Sequence, residues 1–125
     1  FYIYPSWEKP KKNKQNILLD PALSFGSGHH ESTNSCLLLI NKYVKANNSV
    51  ADIGCGSGIL GIACAKLKAK VDICDIDALA VENAKKNFKI NNASLNNSWI
   101  GSACDSNLTY DLVIANIIAG VLIAI

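Results

Sequence analysis

Apolar residues recur along the chain in short runs separated by segments of helical character. Four runs have the length and composition of buried strands: residues 50–53, 71–74, 99–100 and 112–115. Such runs are typical of strands covered on both faces of a parallel sheet. Residues 59–67 and 78–90 show helical spacing, and Asp77 can cap the second helix, whose inner face carries Val81 and Phe88. The alternation predicts an α/β fold of the Rossmann-like type, with a doubly wound, mostly parallel sheet.

The N-terminal part has a different pattern. Residues 1–4 and 17–19 are short β-type runs, and the Pro- and Lys-rich segment between them suggests a hairpin or two edge strands. Residues 20–30 are rich in Gly and Ser, as expected of a loop. A helical pattern then runs from Glu31 to about Asn47. We expect this part and the strands that follow it to form one domain.

The last apolar stretch, residues 112–125, is interrupted by Asn116 and Gly120. It is shorter than the roughly 20 residues that a membrane span needs, so it is predicted to form a core strand followed by the start of a helix. The chain has no Met and stops within this stretch at Ile125. We therefore expect a fragment whose sheet is incomplete at the C-terminus, with an open strand edge, and which is marginally stable and inactive on its own.

Composition narrows the kinds of partner. The 125 residues are half apolar and carry a formal net charge of +2, and all twelve basic residues are lysines. This balance is too weak to predict a nucleic-acid or membrane surface. The five cysteines are odd in number and lack a C-x-x-C spacing, so we predict no metal site and a reducing, cytoplasmic location.

Candidate chemistry is concentrated where the first core strand ends. Gly54, Gly56 and Gly58 follow this strand and open a helix, so the backbone can turn sharply and no Cβ separates it from a ligand. The amides at the start of that helix can bind an anionic or polar group. Asp75 ends the next strand, about 20 residues further on, where a carboxylate can accept hydrogen bonds from both ribose hydroxyls. The pattern predicts a nucleoside-binding site.

The kind of nucleoside depends on the third glycine. The dinucleotide fingerprint is G-x-G-x-x-G, whereas the loop counted from Gly54 reads G-x-G-x-G and has Ile59 at the third fingerprint position. Asp52 adds negative charge, which disfavours a pyrophosphate more than the zwitterionic tail of S-adenosylmethionine. An NAD-dependent oxidoreductase and a non-catalytic nucleoside-binding module remain alternatives. Asp52 can equally be structural and accept hydrogen bonds from loop amides.

The segment from Asp52 to Gly58 resembles the first motif of class I S-adenosylmethionine-dependent methyltransferases. Further segments resemble those of one family, the ribosomal protein L11 methyltransferases or PrmA family, and occur in the same order: residues 3–7, 19–33, 75–81 and 115–120. The chain departs from the family pattern at Ala22, Ser27 and Ala78. Because the resemblance covers nearly the whole chain, it implies part of the catalytic domain of a protein methyltransferase.

Carried over position by position, the resemblance implies a set of contacts with S-adenosylmethionine: Thr33, Gly54, Asp75 and Asn116. Phe25 and Gly28 would shape a lid over the cofactor. Gly56 would contact the cofactor from the glycine loop, residues 54–58. Asn116 is also the candidate catalytic residue, because its side-chain carbonyl can accept a hydrogen from the acceptor amine and aim the nitrogen lone pair. Its structural alternative is a cap on a following helix.

The family that the chain resembles methylates lysine side chains and an α-amino group of a large-subunit ribosomal protein. We accordingly expect a ribosomal protein as partner, a monomer, and one domain of two parts: N-terminal strands with the lid loop in residues 1–30, and the cofactor-binding unit in residues 31–125. Enzymes that methylate RNA or glutamine are the main alternative. Their fourth-strand motif is Asn-Pro-Pro-aromatic, and residues 116–119 lack both prolines and the aromatic residue that can stack on a planar group.

Overall fold

The computed structural model of the chain describes residues 1–19, 30–102, 109–117 and 120–124. The elements in chain order are β1 Tyr2–Tyr4, β2 Asn16–Leu18, α1 His30–Tyr43, β3 Ser49–Ile53, α2 Ile59–Lys66, β4 Lys70–Asp75, α3 Ala78–Ile90, β5 Asn97–Ile100, β6 Leu112–Ile117 and β7 Gly120–Ala124. Within these ranges, no helix has both the length and the apolar character needed to cross a membrane.

The main sheet has five strands in the order β5-β4-β3-β6-β7. β3 pairs in parallel with β4 on one side and with β6 on the other, and β5 pairs in parallel with β4. The chain leaves β3 in one direction through α2 and α3 and returns to its other side with β6. This order confirms the predicted parallel α/β sheet and places a topological switch point at the carboxyl end of β3.

Helix α3 begins and packs as its sequence predicts. The Asp77 carboxylate accepts a hydrogen bond from Leu79 N at 2.9 Å and caps the helix. The inner face is buried: Ala80, Val81, Ala84, Asn87 and Phe88. Helix α2 packs between α1 and α3 and against β4, so the three helices and the sheet share one hydrophobic core.

Strands β1 and β2 pair in parallel, with Tyr2 opposite Asn16, so of the two predicted arrangements the hairpin is wrong. Parallel strands cannot be joined by a tight turn, and residues 5–15 supply the longer connection. Asn16 steadies it, because its side chain accepts a hydrogen bond from Lys11 N and donates one to Lys11 O. Ile17 is fully buried in the main core, and this burial joins the small sheet to the rest of the described chain.

The segment after β6 is a strand, so the predicted helix after Asn116 is wrong. β7 pairs antiparallel with β6, with Ile117 opposite Gly120. Residues 121–124 read Val-Leu-Ile-Ala, a composition that suits a strand as well as a buried helix. As a strand, this segment satisfies the backbone hydrogen-bonding groups along the edge of β6. The open edge expected on the fourth core strand is therefore covered.

Candidate functional site

The carboxyl ends of three neighbouring strands meet at one edge of the sheet. Ile53 pairs with Cys74 of β4 and with Ala115 of β6. Asp75 and Asn116 are the next residues on those two strands. Gly54 directly follows Ile53. The fold therefore brings Gly54, Asp75 and Asn116 side by side with Gly54 in the centre, at the switch point where sheets of this kind bind ligands.

The Asp75 carboxylate joins the glycine loop, residues 54–58, to the start of α3. Its Oδ2 atom accepts a hydrogen bond from Gly56 N at 3.1 Å, and Oδ1 accepts one from Asp77 N at 3.0 Å. The side chain is half-buried at the edge of the sheet. Because each carboxylate oxygen can accept more than one hydrogen bond, Asp75 has capacity for further donors.

The glycines of the loop and of the first turn of α2 differ in what a side chain would meet. Gly56 has a φ of 53°, and a Cβ built on it meets no atom within 4 Å among the described residues. On Gly58, whose φ is 85°, a Cβ would lie 3.0 Å from Ala84 Cβ. On Gly61 it would lie 3.0 Å from Phe88 Cζ. Gly58 and Gly61 are therefore required by the close approach of α2 to α3, whereas the described part of the chain leaves the space beside Gly56 open.

Asp52 faces the interior instead of the open side. It is 2 % exposed, and its Oδ2 atom accepts a hydrogen bond from Gly61 N at 3.1 Å in the first turn of α2. Burial raises the pKa of Asp52 to about 7, with a downward contribution from the Gly61 hydrogen bond and a further upward one from Asp75. Because Gly58 provides no side-chain cap, Asp52 satisfies an amide that the helix leaves unpaired. The hydrogen bond from Gly61 N therefore supports the structural role of Asp52.

The thiol in the glycine loop is not activated. Four cysteines in the described ranges are free and buried: Cys36, Cys55, Cys64 and Cys74. Burial, together with the nearby carboxylates Asp52 and Asp75, raises the pKa of Cys55. A thiol that stays protonated at neutral pH is a poor nucleophile. Cys55 therefore lines the turn as an apolar residue and offers no covalent chemistry.

Of the remaining residues predicted to contact the cofactor, Thr33, Gly54 and Asn116 lie within the described ranges. Thr33 is half-buried in the first turn of α1. Gly54 has a φ of 67°, a conformation suited to glycine. Asn116 is placed by its backbone, which pairs with Val121 of β7. The proposed lid residues, Phe25 and Gly28, lie outside the described residues.

Two buried asparagines near the end of α3 were not predicted. Asn87 donates a hydrogen bond from Nδ2 to Ser57 O at 2.9 Å. Asn91, just after the helix, accepts one from Leu18 N at 2.7 Å and donates one to Leu18 O at 3.0 Å. The sequence does carry a signal for them, since two amides four residues apart lie on the helix face that includes Phe88. Polar groups on a buried face need hydrogen-bonding partners.

Comparisons with known proteins agree on one family. The ribosomal protein L11 methyltransferases (PrmA) match the chain over residues 1–125. The ribosomal protein L11 methyltransferase of a Nitratiruptor species is 58% identical over 125 residues, which are 100% of this chain and 45% of that protein. That of Campylobacter concisus is 53% identical over 121 residues, 97% of this chain and 44% of that protein.

A solved structure extends the agreement to the fold. The crystal structure of ribosomal protein L11 methylase from Lactobacillus delbrueckii subsp. bulgaricus matches with a TM-score of 0.82 and 35% identity, over 92% of this chain and 61% of that chain. The chain spans less than half the length of the two curated relatives named above. With the family match over its whole length and the same fold in a solved relative, the chain belongs to the ribosomal protein L11 methyltransferase (PrmA) family.

Proposed function

We propose that the full-length protein carrying this chain transfers methyl groups from S-adenosylmethionine to a large-subunit ribosomal protein. The acceptors are lysine side chains and an α-amino group. The observation that carries the proposal is the PrmA match over the whole chain, in a structure whose glycine loop and Asp75 meet at the switch point of the sheet. On this view, the described residues supply the cofactor side of the active site.

The residues at the switch point fit S-adenosylmethionine. The open side of Gly56 leaves room for a ligand to approach the loop backbone. The Asp75 carboxylate, already oriented by two amides, has acceptor capacity for the ribose hydroxyls. The resemblance adds Thr33, and it adds Phe25 and Gly28 over the cofactor. Together with Gly54 and Asn116, these residues form the proposed binding site.

Methyl transfer requires a correctly oriented nitrogen lone pair, and we propose that Asn116 orients it. S-adenosylmethionine supplies a methyl group on a sulfonium, and its displacement requires the nitrogen lone pair in line with the carbon–sulfur bond. A lysine of pKa ~10.4 is rarely neutral at pH 7, which costs about 4.6 kcal/mol if nothing shifts that pKa. Removing water from the amine lowers this cost. The Asn116 carbonyl would accept an amine hydrogen and so aim the lone pair at the methyl group.

Glycine spacing alone does not exclude a dinucleotide. Counted from Gly56, the residues Gly56, Gly58 and Gly61 have the spacing G-x-G-x-x-G, which the count from Gly54 misses. The NAD-dependent alternative is therefore disfavoured by the family match and not by the glycines. The RNA- or glutamine-modifying alternative is disfavoured by residues 116–119, which lack the Pro-Pro-aromatic sequence.

The same proposal includes organisation and location. Residues 1–30 and 31–125 would act as two parts of one domain, which is supported by the burial of Ile17 in the shared core. The free thiols of the described chain suit a reducing compartment, and we propose that the protein works in the cytoplasm as a monomer.

Methyl transfer to the purified ribosomal protein tests the proposal. The full-length protein should incorporate label from S-adenosylmethionine into that protein, and Asn116→Ala should keep the fold and lose most of the single-turnover rate. Asn41→Ala, a change of the same kind at an exposed position of α1, is the matched control and should keep the parental rate. A parental rate in Asn116→Ala would remove Asn116 from the reaction, and no label in the ribosomal protein with the parental enzyme would contradict the proposed substrate.

A further inference from the structure

The peptide group between Ser57 and Gly58 is fixed at both ends. Its carbonyl oxygen accepts a hydrogen bond from Asn87 Nδ2 at 2.9 Å, and its N–H donates one to Cys55 O at 2.8 Å. Asn87 is 2 % exposed and Ser57 is 5 % exposed, so water competes little for these groups. A buried hydrogen bond of this kind is costly to lose, because the carbonyl would be left without a partner.

The residues around this peptide give it little restraint of their own. Gly56 and Gly58 have φ values of 53° and 85°, and glycine adopts such conformations without preferring them over others. Apart from the hydrogen bond between Gly58 N and Cys55 O, the shape of the loop therefore depends on contacts from outside it. Asp75 holds the amide of Gly56 from β4, and Asn87 holds the carbonyl of Ser57 from α3.

Asn87 acts on the loop from its packed side. The Asn87 side chain lies on the buried face of α3, one residue before Phe88, and Phe88 lies against the position where Gly58 would carry a Cβ. A Cβ at the corresponding position on Gly56 meets no atom of the described residues within 4 Å. Asn87 therefore reaches the loop backbone from within the core, away from the side on which a ligand can approach.

We propose that Asn87 is a positioning residue for S-adenosylmethionine. By holding the Ser57 carbonyl against α3, Asn87 keeps the glycine loop in the one conformation that presents its backbone to the cofactor. This inference rests on the proposed function, because it takes the loop as the cofactor site. It predicts that losing the Asn87 donor weakens cofactor binding beyond any general loss of stability.

Two variants of the full-length protein test this role. Asn87→Ala removes the donor, and Asn87→Asp keeps the volume but places a carboxylate, which cannot donate when ionised, against the Ser57 carbonyl. For both, the Kd for S-adenosylmethionine should rise about tenfold or more, equivalent to about 1.4 kcal/mol. The KM for the cofactor should rise in parallel, while kcat at saturating cofactor stays within about twofold of the parental value, since the ordered loop is recovered on binding.

Tyr110→Phe is the matched control. Tyr110 OH donates to Asp72 Oδ2 at 2.8 Å, and Asp72 is 2 % exposed, so this variant also removes one donor from a buried oxygen. Asp72 lies three residues before Asp75 on β4, away from the carboxyl end of the strand. Tyr110→Phe should lower the melting temperature, as the Asn87 variants do, but leave the Kd for S-adenosylmethionine unchanged.

Hydrogen exchange separates this inference from the function on which it rests. Without cofactor, the amides of residues 56–58 should exchange faster in Asn87→Asp than in Tyr110→Phe, whatever the ligand of the loop. Parental Kd and parental loop exchange in the Asn87 variants, with only the melting temperature lowered, would make Asn87 a packing residue and overturn the inference. If the parental protein itself does not bind S-adenosylmethionine, the proposed function fails, and the exchange data still decide whether Asn87 orders the loop.

Discussion

The segment that runs from the glycine loop into the first turn of α2 has a packed half and an open half, and each half contacts a different aspartate. On the packed side, Gly58 and Gly61 lie against α3, and the buried Asp52 accepts the Gly61 amide. On the open side, no described atom lies within 4 Å of where a Gly56 Cβ would be, and the half-buried Asp75 accepts a hydrogen bond from the Gly56 amide. Glycine and aspartate therefore stabilise the fold in the packed half, whereas in the open half they are available for ligand binding. The two halves differ in the atoms that a side chain on each glycine would contact. The spacing of the glycines in the sequence does not distinguish them.

The largest effect is expected on the open side. Asp75→Ala in the full-length protein should remove two charge-assisted hydrogen bonds to ribose and cost about 2–4 kcal/mol of S-adenosylmethionine binding. Asp77→Ala is a suitable control, because it removes the α3 cap and should cost about 1 kcal/mol of stability with little change in affinity. Calorimetric titration of both variants measures this, and an unchanged Kd in Asp75→Ala would contradict the assignment.

On the packed side, Gly58→Ala should chiefly lower stability. A Cβ there would lie 3.0 Å from Ala84 Cβ and 3.2 Å from Ala84 Cα, and the residue would keep a left-handed φ of 85°. Overpacking and the left-handed conformation together should cost about 3 kcal/mol in the free energy of unfolding, measured by urea denaturation. A variant as stable as the parent would show that α2 and α3 can separate without cost.

Gly56→Ala should lose less stability than Gly58→Ala and more affinity for the cofactor. Its φ of 53° makes alanine unfavourable by about 1–2 kcal/mol, but no described atom obstructs the new methyl group. The methyl group would instead fill the space open to the cofactor, so the affinity should fall by about tenfold, or 1.4 kcal/mol. If the Gly56 and Gly58 variants lost the same stability as each other and the same affinity as each other, the distinction between the two halves would be abolished.

The smallest effect concerns the charge of Asp52. Its pKa of about 7 in the folded protein lies above its ordinary value of 3.8, so the folded state holds the proton more tightly than the unfolded state. The stability that this proton contributes is therefore lost as pH rises through 7, by about 1.4 kcal/mol between pH 6 and 8. Asp52→Asn, which can still accept the Gly61 amide, should lose this dependence and gain stability over the parent at pH 8. Denaturation curves at the two pH values measure the difference, and parallel pH profiles would contradict it.

Elements fixed by local signals were predictable from the sequence. In α3, the Asp77 cap and the apolar inner face agree, and the helix begins and packs as expected. The pairing of β1 with β2 was not predictable, because its direction depends on how Ile17 packs into a distant core. The apolar segment after Asn116 suits a helix and a strand equally, and its pairing with the edge of β6 decides the outcome.

The candidate site divides in the same way. Gly54, Gly56 and Asp75 could be found because strand ends and glycines mark the switch point in the sequence itself. A structural role for Asp52 could be considered from the sequence, but its partner Gly61 could not be identified, nor could the partner of Asn87. Each contact depends on the packing of α2 or α3. Asn87 reaches Ser57 across 30 residues of sequence, and its side chain gives no sign of that partner beyond its place on an apolar face.

Titration of the full-length protein with S-adenosylmethionine and, separately, with NADH tests the central claim most directly. The open half of the turn and Asp75 predict saturable binding of S-adenosylmethionine at one site, and the family predicts no binding of NADH. Saturable binding of NADH, or no heat of binding with S-adenosylmethionine from a folded protein, would contradict the account.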